Sequence, residues 1–185
     1  MHKVWGGAVM VAMLGGCAGT APVQDPPALF DGWYAQQAVG NPLYAPGLWP
    51  LLASRANFPV LDAPATAGLV HLHIDADQQL TVRLQQGERC VGQLSIAGNL
   101  DGTQYRFSDN DFNGIPLLAW GHNSREVTLD LSHPTQLPAS IHTSSFGMFL
   151  IIAGGAPDRD VTYRYTAITA PEQPAQKCPA PAPGR

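Results

Sequence analysis

The sequence predicts a mainly β protein: an antiparallel β-sandwich or barrel preceded by a short, partly helical, aromatic-rich segment. Three observations carry this. From Gly68 onward apolar residues recur at every second position, the period of a strand with one buried face. The alternating runs are separated by short clusters of Gly, Asn, Asp and Pro, which mark turns between antiparallel strands. Nothing in this part keeps the 3.6-residue period of an amphipathic helix over a useful length.

The first element stands outside the fold. Lys3 precedes an apolar run from Val4 to Leu14, and small residues follow. A spanning helix needs about 20 apolar residues, and glycines weaken this shorter run as a helix. Residues 1–16 therefore read as a cleaved secretory signal. The motif Leu14-Gly15-Gly16-Cys17 resembles the lipobox of bacterial lipoproteins. That resemblance implies that the Cys17 thiol takes a diacylglycerol and that cleavage makes Cys17 the first residue of the mature chain. It also implies that Cys17 anchors the protein, since two or three acyl chains hold where one is marginal. Ala18, where an aspartate would favour inner-membrane retention, implies sorting to the outer membrane of a two-membraned bacterium. The domain would then lie in the periplasm or at the cell surface.

Residues 17–28 are small and proline-bearing, as suits a lipidated tether. A single globular domain is expected over 29–169, and a Pro-rich tail over 170–185, whose prolines favour extended chain. The domain opens with the aromatics Phe30, Trp33, Tyr34, Tyr44, Trp49 and Phe58, best read as a segment covering one face of a sheet. Asp31 can cap a short helix running to Ala38, with Gly40 as its stop. "PLLASR" from Pro50 suits another turn or two of helix, since proline is tolerated near a helix start. Then "LVHLHID" buries Val70, Leu72 and Ile74 against His71, His73 and Asp75 on the other face. "QLTVRLQQ" repeats the pattern with Leu80, Val82 and Leu84, and "DADQQ" between them suggests a hairpin. "CVGQLSIAG", "QYRFS", "EVTLDLS", "FGMFLII" and "VTYRYTAI" continue the series. The apolar run Phe146–Ala156 is too short to span a membrane as a helix and reads as a buried strand.

The chain has 185 residues and a net charge of −4 at pH 7, made one unit more negative by loss of Lys3 with the leader. This length suits one domain with a real core. Mild acidity without a Lys/Arg cluster argues against nucleic acid and against polybasic contact with anionic lipid. With Cys17 assigned to lipid, Cys90 and Cys178 remain as an even pair in an oxidising compartment, and an intramolecular Cys90–Cys178 disulfide is expected.

Candidate chemistry is sparse. His71 and His73 share a strand face and could begin a zinc or copper site, with His122, His133, His142, Asp75 or Asp77 as a third ligand. Their spacing is similar to the cupin metal motif, but Asp75 and Asp77 stand where that family places a glutamate. "DNDFNG" (Asp109–Gly114) matches the first half of a calcium loop. Its second half has Pro116 and Trp120 where ligands belong, so a plain turn is expected. The serines of "TSSFG" lie near His142, yet no nucleophile elbow or phosphate loop is present. No cofactor and no catalytic residue is assigned. The functional expectation is a non-catalytic binding or structural component of the cell envelope, with the membrane (through Cys17) and an envelope protein as partners. A metal-binding envelope module and an envelope hydrolase are the alternatives.

Overall fold

A computed structural model describes residues 28–40, 45–54, 68–115, 119–149, 152–172 and 178. The leader, Cys17 and the tether through residue 27 lie outside these residues. In chain order the elements are β1 (Phe30–Ala38), α1 (Leu48–Ala53), β2 (Leu69–Ile74), β3 (Gln79–Gln86), β4 (Arg89–Ala97), β5 (Asn99–Asp101), β6 (Gln104–Ile115), β7 (Ala119–Asp130), β8 (Gln136–Phe149) and β9 (Ile152–Ile168). The fold is mainly β, as expected.

One antiparallel sheet runs β4-β3-β2-β1-β9-β8-β7-β6-β5. Its two outermost strands are consecutive in sequence, joined by Gly98 alone. β4 and β5 are therefore one bent strand that pairs with β3 on one side and β6 on the other. The first strand, β1, pairs with the last, β9. The sheet thus returns to its start, which decides for a barrel over a sandwich. Gly98 is the tight point: a Cβ there would lie 2.6 Å from both the Arg106 carbonyl oxygen and the Tyr105 ring. The Tyr105 hydroxyl sits 2.8 Å from the Ile96 carbonyl and 3.0 Å from that of Gln78, tying β6 to the β2–β3 turn and to β4. Burial pushes that hydroxyl up to about 12.

The inward faces follow the predicted alternation. Val70, Leu72, Ile74, Leu80, Val82 and Leu84 are all buried, and Val127, Leu129, Leu137 and Tyr165 meet them from the opposite wall. The "DADQQ" hairpin is present, with the Asp75 carboxylate accepting from the Asp77 and Gln79 amides. Pro138 is tolerated in β8 because it lies one residue outside the β7 ladder, which ends at Ala139.

The segment expected to be helical from Asp31 to Ala38 is instead β1. Tyr34, Gln36 and Ala38 point inward and are buried. Strand pairing on both sides outweighs the modest local preference of this run for helix. The second helix is present as α1, starting two residues before Pro50. It closes one end of the barrel rather than covering a sheet face, with Leu48, Leu51 and Leu52 buried in the core. Trp49 packs where a Cβ on Gly92 would stand. Three polar side chains hold α1 and the residues that flank it. The Gln36 side-chain oxygen accepts from the Trp49 amide at 2.9 Å. Tyr165 donates to the Pro46 carbonyl. The buried Arg125 guanidinium donates to the carbonyls of Leu51 and Ser54, satisfying groups a helix end leaves open. Burial pulls the Arg125 pKa down, while Asp109 acts in the opposite direction.

The Cys90–Cys178 disulfide is formed and bridges 88 residues. Two outcomes are expected. Gly98→Ala overpacks the junction and lowers unfolding free energy by about 1–3 kcal/mol, read as a fall in Tm against the parent chain. Cys178→Ser opens the long loop and lowers it by about 4–5 kcal/mol at most, read by denaturant unfolding under non-reducing conditions.

Candidate functional site

Two parts of the surface stand out, one polar and one apolar. The polar one lies outside the barrel on β1, β2 and β3. The expected alternation puts His71 and His73 on the outer face of β2, and pairing with β1 sets Asp31 opposite His73 and Trp33 opposite His71. Asp31 then bridges both rings: its carboxylate oxygens lie 2.8 Å from His71 Nε2 and 3.0 Å from His73 Nδ1. Each imidazole can donate there as a neutral tautomer. Trp33 stacks on His71 with centroids 4.5 Å apart. A pocket of about 250 Å³ adjoins them, lined also by Arg83, Gln85 and the Cys90–Cys178 disulfide. The disulfide thereby brings the chain at Cys178 up to this face.

Burial pushes the Asp31 carboxyl up, but the hydrogen bonds from His71 and His73 outweigh it and hold the group below its ordinary value. The histidines thus converge on a carboxylate from β1, and none of the expected third ligands is that partner. Among the described residues no group of three or more His, Cys, Asp or Glu side chains is arranged to hold a metal ion. Asp31 was misread from sequence as a helix cap, since forty residues separate it from His71. Its only sequence signal is an acid at an outward position of a strand that itself escaped notice.

The remaining sequence candidates scatter. Asp109–Gly114 is neither a calcium loop nor a turn but part of β6. Extended backbone spaces Asp109 and Asp111 about 7 Å apart along the strand, whereas a calcium loop wraps its ligands around one point. His142 pairs with Asp160 at 2.8 Å on an open face, which raises the His142 pKa. The Ser145 hydroxyl accepts from the Ala156 amide, and no described serine hydroxyl hydrogen-bonds the His142 ring. A wider cavity of about 530 Å³ opens at the α1 end of the barrel, between Leu51, Arg125, Ile141, Arg159 and Tyr163.

The apolar part was missed. β6, β7, β8 and β9 outrun the barrel and continue as a four-stranded extension, in which the rows from Asp111 to Ile115 each cross all four strands. The last row is Ile115, Ala119, Phe149 and Ile152. Ile115, Phe149 and Ile152 are 63%, 62% and 72% exposed. Three residues back, Phe112, His122, Phe146 and Gly155 form another row. Between them Trp120 stacks on Phe112 at 5.8 Å and tilts against Phe146 at 5.5 Å. The "FGMFLII" run is thus divided between β8 and β9, and Phe146, Phe149 and Ile152 are exposed while Met148 is half-buried, contrary to the buried strand expected. An apolar run signals strand, but periodicity alone does not say what covers it. Among the described residues no helix is long and apolar enough to cross a membrane.

No family model matches the chain, and neither the curated proteins nor the solved structures yield a match.

The Asp31 contacts make a pH prediction. A carboxyl whose folded value lies below its unfolded one stabilises fully above the unfolded value, near 3.8, and loses that contribution as pH falls through the folded value. Asp31→Asn should therefore cost stability at pH 6 and cost progressively less as pH drops below 3.8. Urea unfolding of both chains across that range measures the difference.

Proposed function

We propose that the protein is an outer-membrane lipoprotein, held by acyl chains on Cys17, whose barrel serves as a non-catalytic binding or structural component of the cell envelope. The lipobox-like motif supports the anchor, and residues 17–28 supply a tether that confines the barrel near the bilayer and raises its effective concentration toward neighbours. The observation that carries the contact role is the exposed apolar end of the β6–β9 extension. Contiguous apolar surface rimmed by polar residues marks contact with a protein or a membrane. The interior of the barrel is occupied by core side chains and α1, so recognition falls to the outer surface. The Asp31–His71–Trp33 face supports a metal module less well, because among the described residues no group of three or more His, Cys, Asp or Glu side chains is arranged to hold a metal ion.

Two measurements test this. Cells fed an alkynyl fatty acid should label the parent chain and not Cys17→Ser. A labelled Cys17→Ser chain, or an unlabelled parent, removes the anchor. A photoreactive residue in place of Phe146 should give envelope adducts absent when it replaces Glu88. Equal yields from both positions remove the extension as the contact surface.

A further inference from the structure

We propose that the end of the β6–β9 extension inserts into the interfacial layer of a lipid bilayer, so that the barrel stands on a membrane through this tip. The inference rests on the reading of the extension as the contact surface and is independent of acylation at Cys17.

Charge defines the boundary. The sequence from Phe112 to Ser124 and from Ser144 to Pro157 contains no Asp, Glu, Lys or Arg. The row that follows Phe112–His122–Phe146–Gly155 brings the first acid, Asp111, beside Asn123, Ser145 and Ala156. Asp109, Arg125, Glu126, Asp158, Arg159 and Asp160 follow nearer the barrel. At about 3.4 Å per residue, the four uncharged rows from Ile115 to Phe112 cover roughly 10 Å. That matches the depth of about 5–10 Å to which interfacial elements bury their apolar side.

Shape favours lipid over a protein groove. Successive strand residues point to opposite faces, so Ile115, Phe149 and Ile152 project on one side of the extension while Phe112, Trp120 and Phe146 project on the other. Ile115, Phe149, Ile152 and Phe112 are all more than 60% exposed. Among the described residues, the extension therefore carries exposed apolar side chains on both of its faces. A rigid partner would have to wrap it, whereas a fluid leaflet closes around it. Trp120 lies one row behind the tip, where tryptophan suits the boundary between headgroups and acyl chains. The same geometry limits the depth. Among the described residues the outer edges of β6 and β9 beyond the barrel have no strand partner, and open edges are not tolerated in the hydrocarbon core. A spanning strand also needs an apolar band of about 25 Å, more than twice the uncharged height. The tip dips and does not cross. The chain is net negative, so attraction to anionic headgroups is not the driving force.

The test uses the full chain isolated from its own membrane, mixed with phosphatidylcholine vesicles whose acyl chains carry bromine near the headgroup. Trp120→Phe isolates the emission of Trp120 from that of the other tryptophans. Insertion predicts about twofold quenching of the Trp120 component by shallow bromine and little by bromine at the chain ends. Phe149→Asp combined with Ile152→Asp should abolish that quenching, and should weaken vesicle binding of any unacylated fraction roughly tenfold or more. Both sites are exposed, so an unchanged Tm verifies the fold. Phe112→Ser is a milder variant, expected to reduce quenching partially. Mass analysis of the Cys17 peptide in the same sample reports acylation separately. Trp120 that stays open to aqueous iodide and silent to bromine overturns the proposal, even if the chain is vesicle-bound through an acylated Cys17. So does a chain that sediments as a dimer, becomes monomeric in the Asp variant, and shows no bromine quenching; its occupant is then a second copy.

Discussion

The pairing of β1 with β9 is the constraint on which the rest of the structure depends. Without it the chain would hold two meanders, β1 to β4 and β5 to β9, each with an apolar face and no lid. With it, and with Gly98 joining the far ends, the two faces turn toward each other and bury one core. Closure then imposes a filling requirement, because side chains from opposite walls must reach one another. Large inward residues such as Tyr105, Tyr165 and Leu72 meet part of it. The single turn or two of α1 meets the rest, and Arg125, Gln36 and Tyr165 keep its backbone groups satisfied where water is excluded.

Closure also explains the extension. β6 to β9 span 12, 12, 14 and 17 residues, whereas β2 and β3 span 6 and 8. Past the barrel the longer strands have no opposite wall, so the face that was inward becomes exposed. The alternation persists there with a different content: Asn123, Ser145, Gly121 and Gly147 on one face, Trp120, Phe146 and Met148 on the other. Hydrophobicity in this region is a surface property, and that is why the extension carries the functional reading while the barrel interior does not.

The polar face follows another logic. His71 and His73 were legible as a same-face pair from the i, i+2 spacing, yet what they do depends on β1. A strand placed opposite them brings a carboxylate to both rings and an indole onto one. The alternative ligands were nearer in sequence or richer in histidine, but His122 lies on the extension, His133 beside Asp130 and His142 against Asp160. Pairing register, rather than residue type, chose the partner.

The sequence by itself determined the class, most strands from Leu69 to Ile168, the short helix near Pro50, the turn at Asp75 and the even pair of cysteines that bond. These are local signals: a period of two, turn chemistry and parity, each readable within a few residues. Tertiary structure alone decided that Phe30–Ala38 is a strand, that the sheet closes on itself, that Asp31 serves two histidines and that Phe146, Phe149 and Ile152 face outward. Each depends on which distant segment lies alongside, and a strand's neighbours are set by the free energy of the closed sheet as a whole rather than by the residues that compose it.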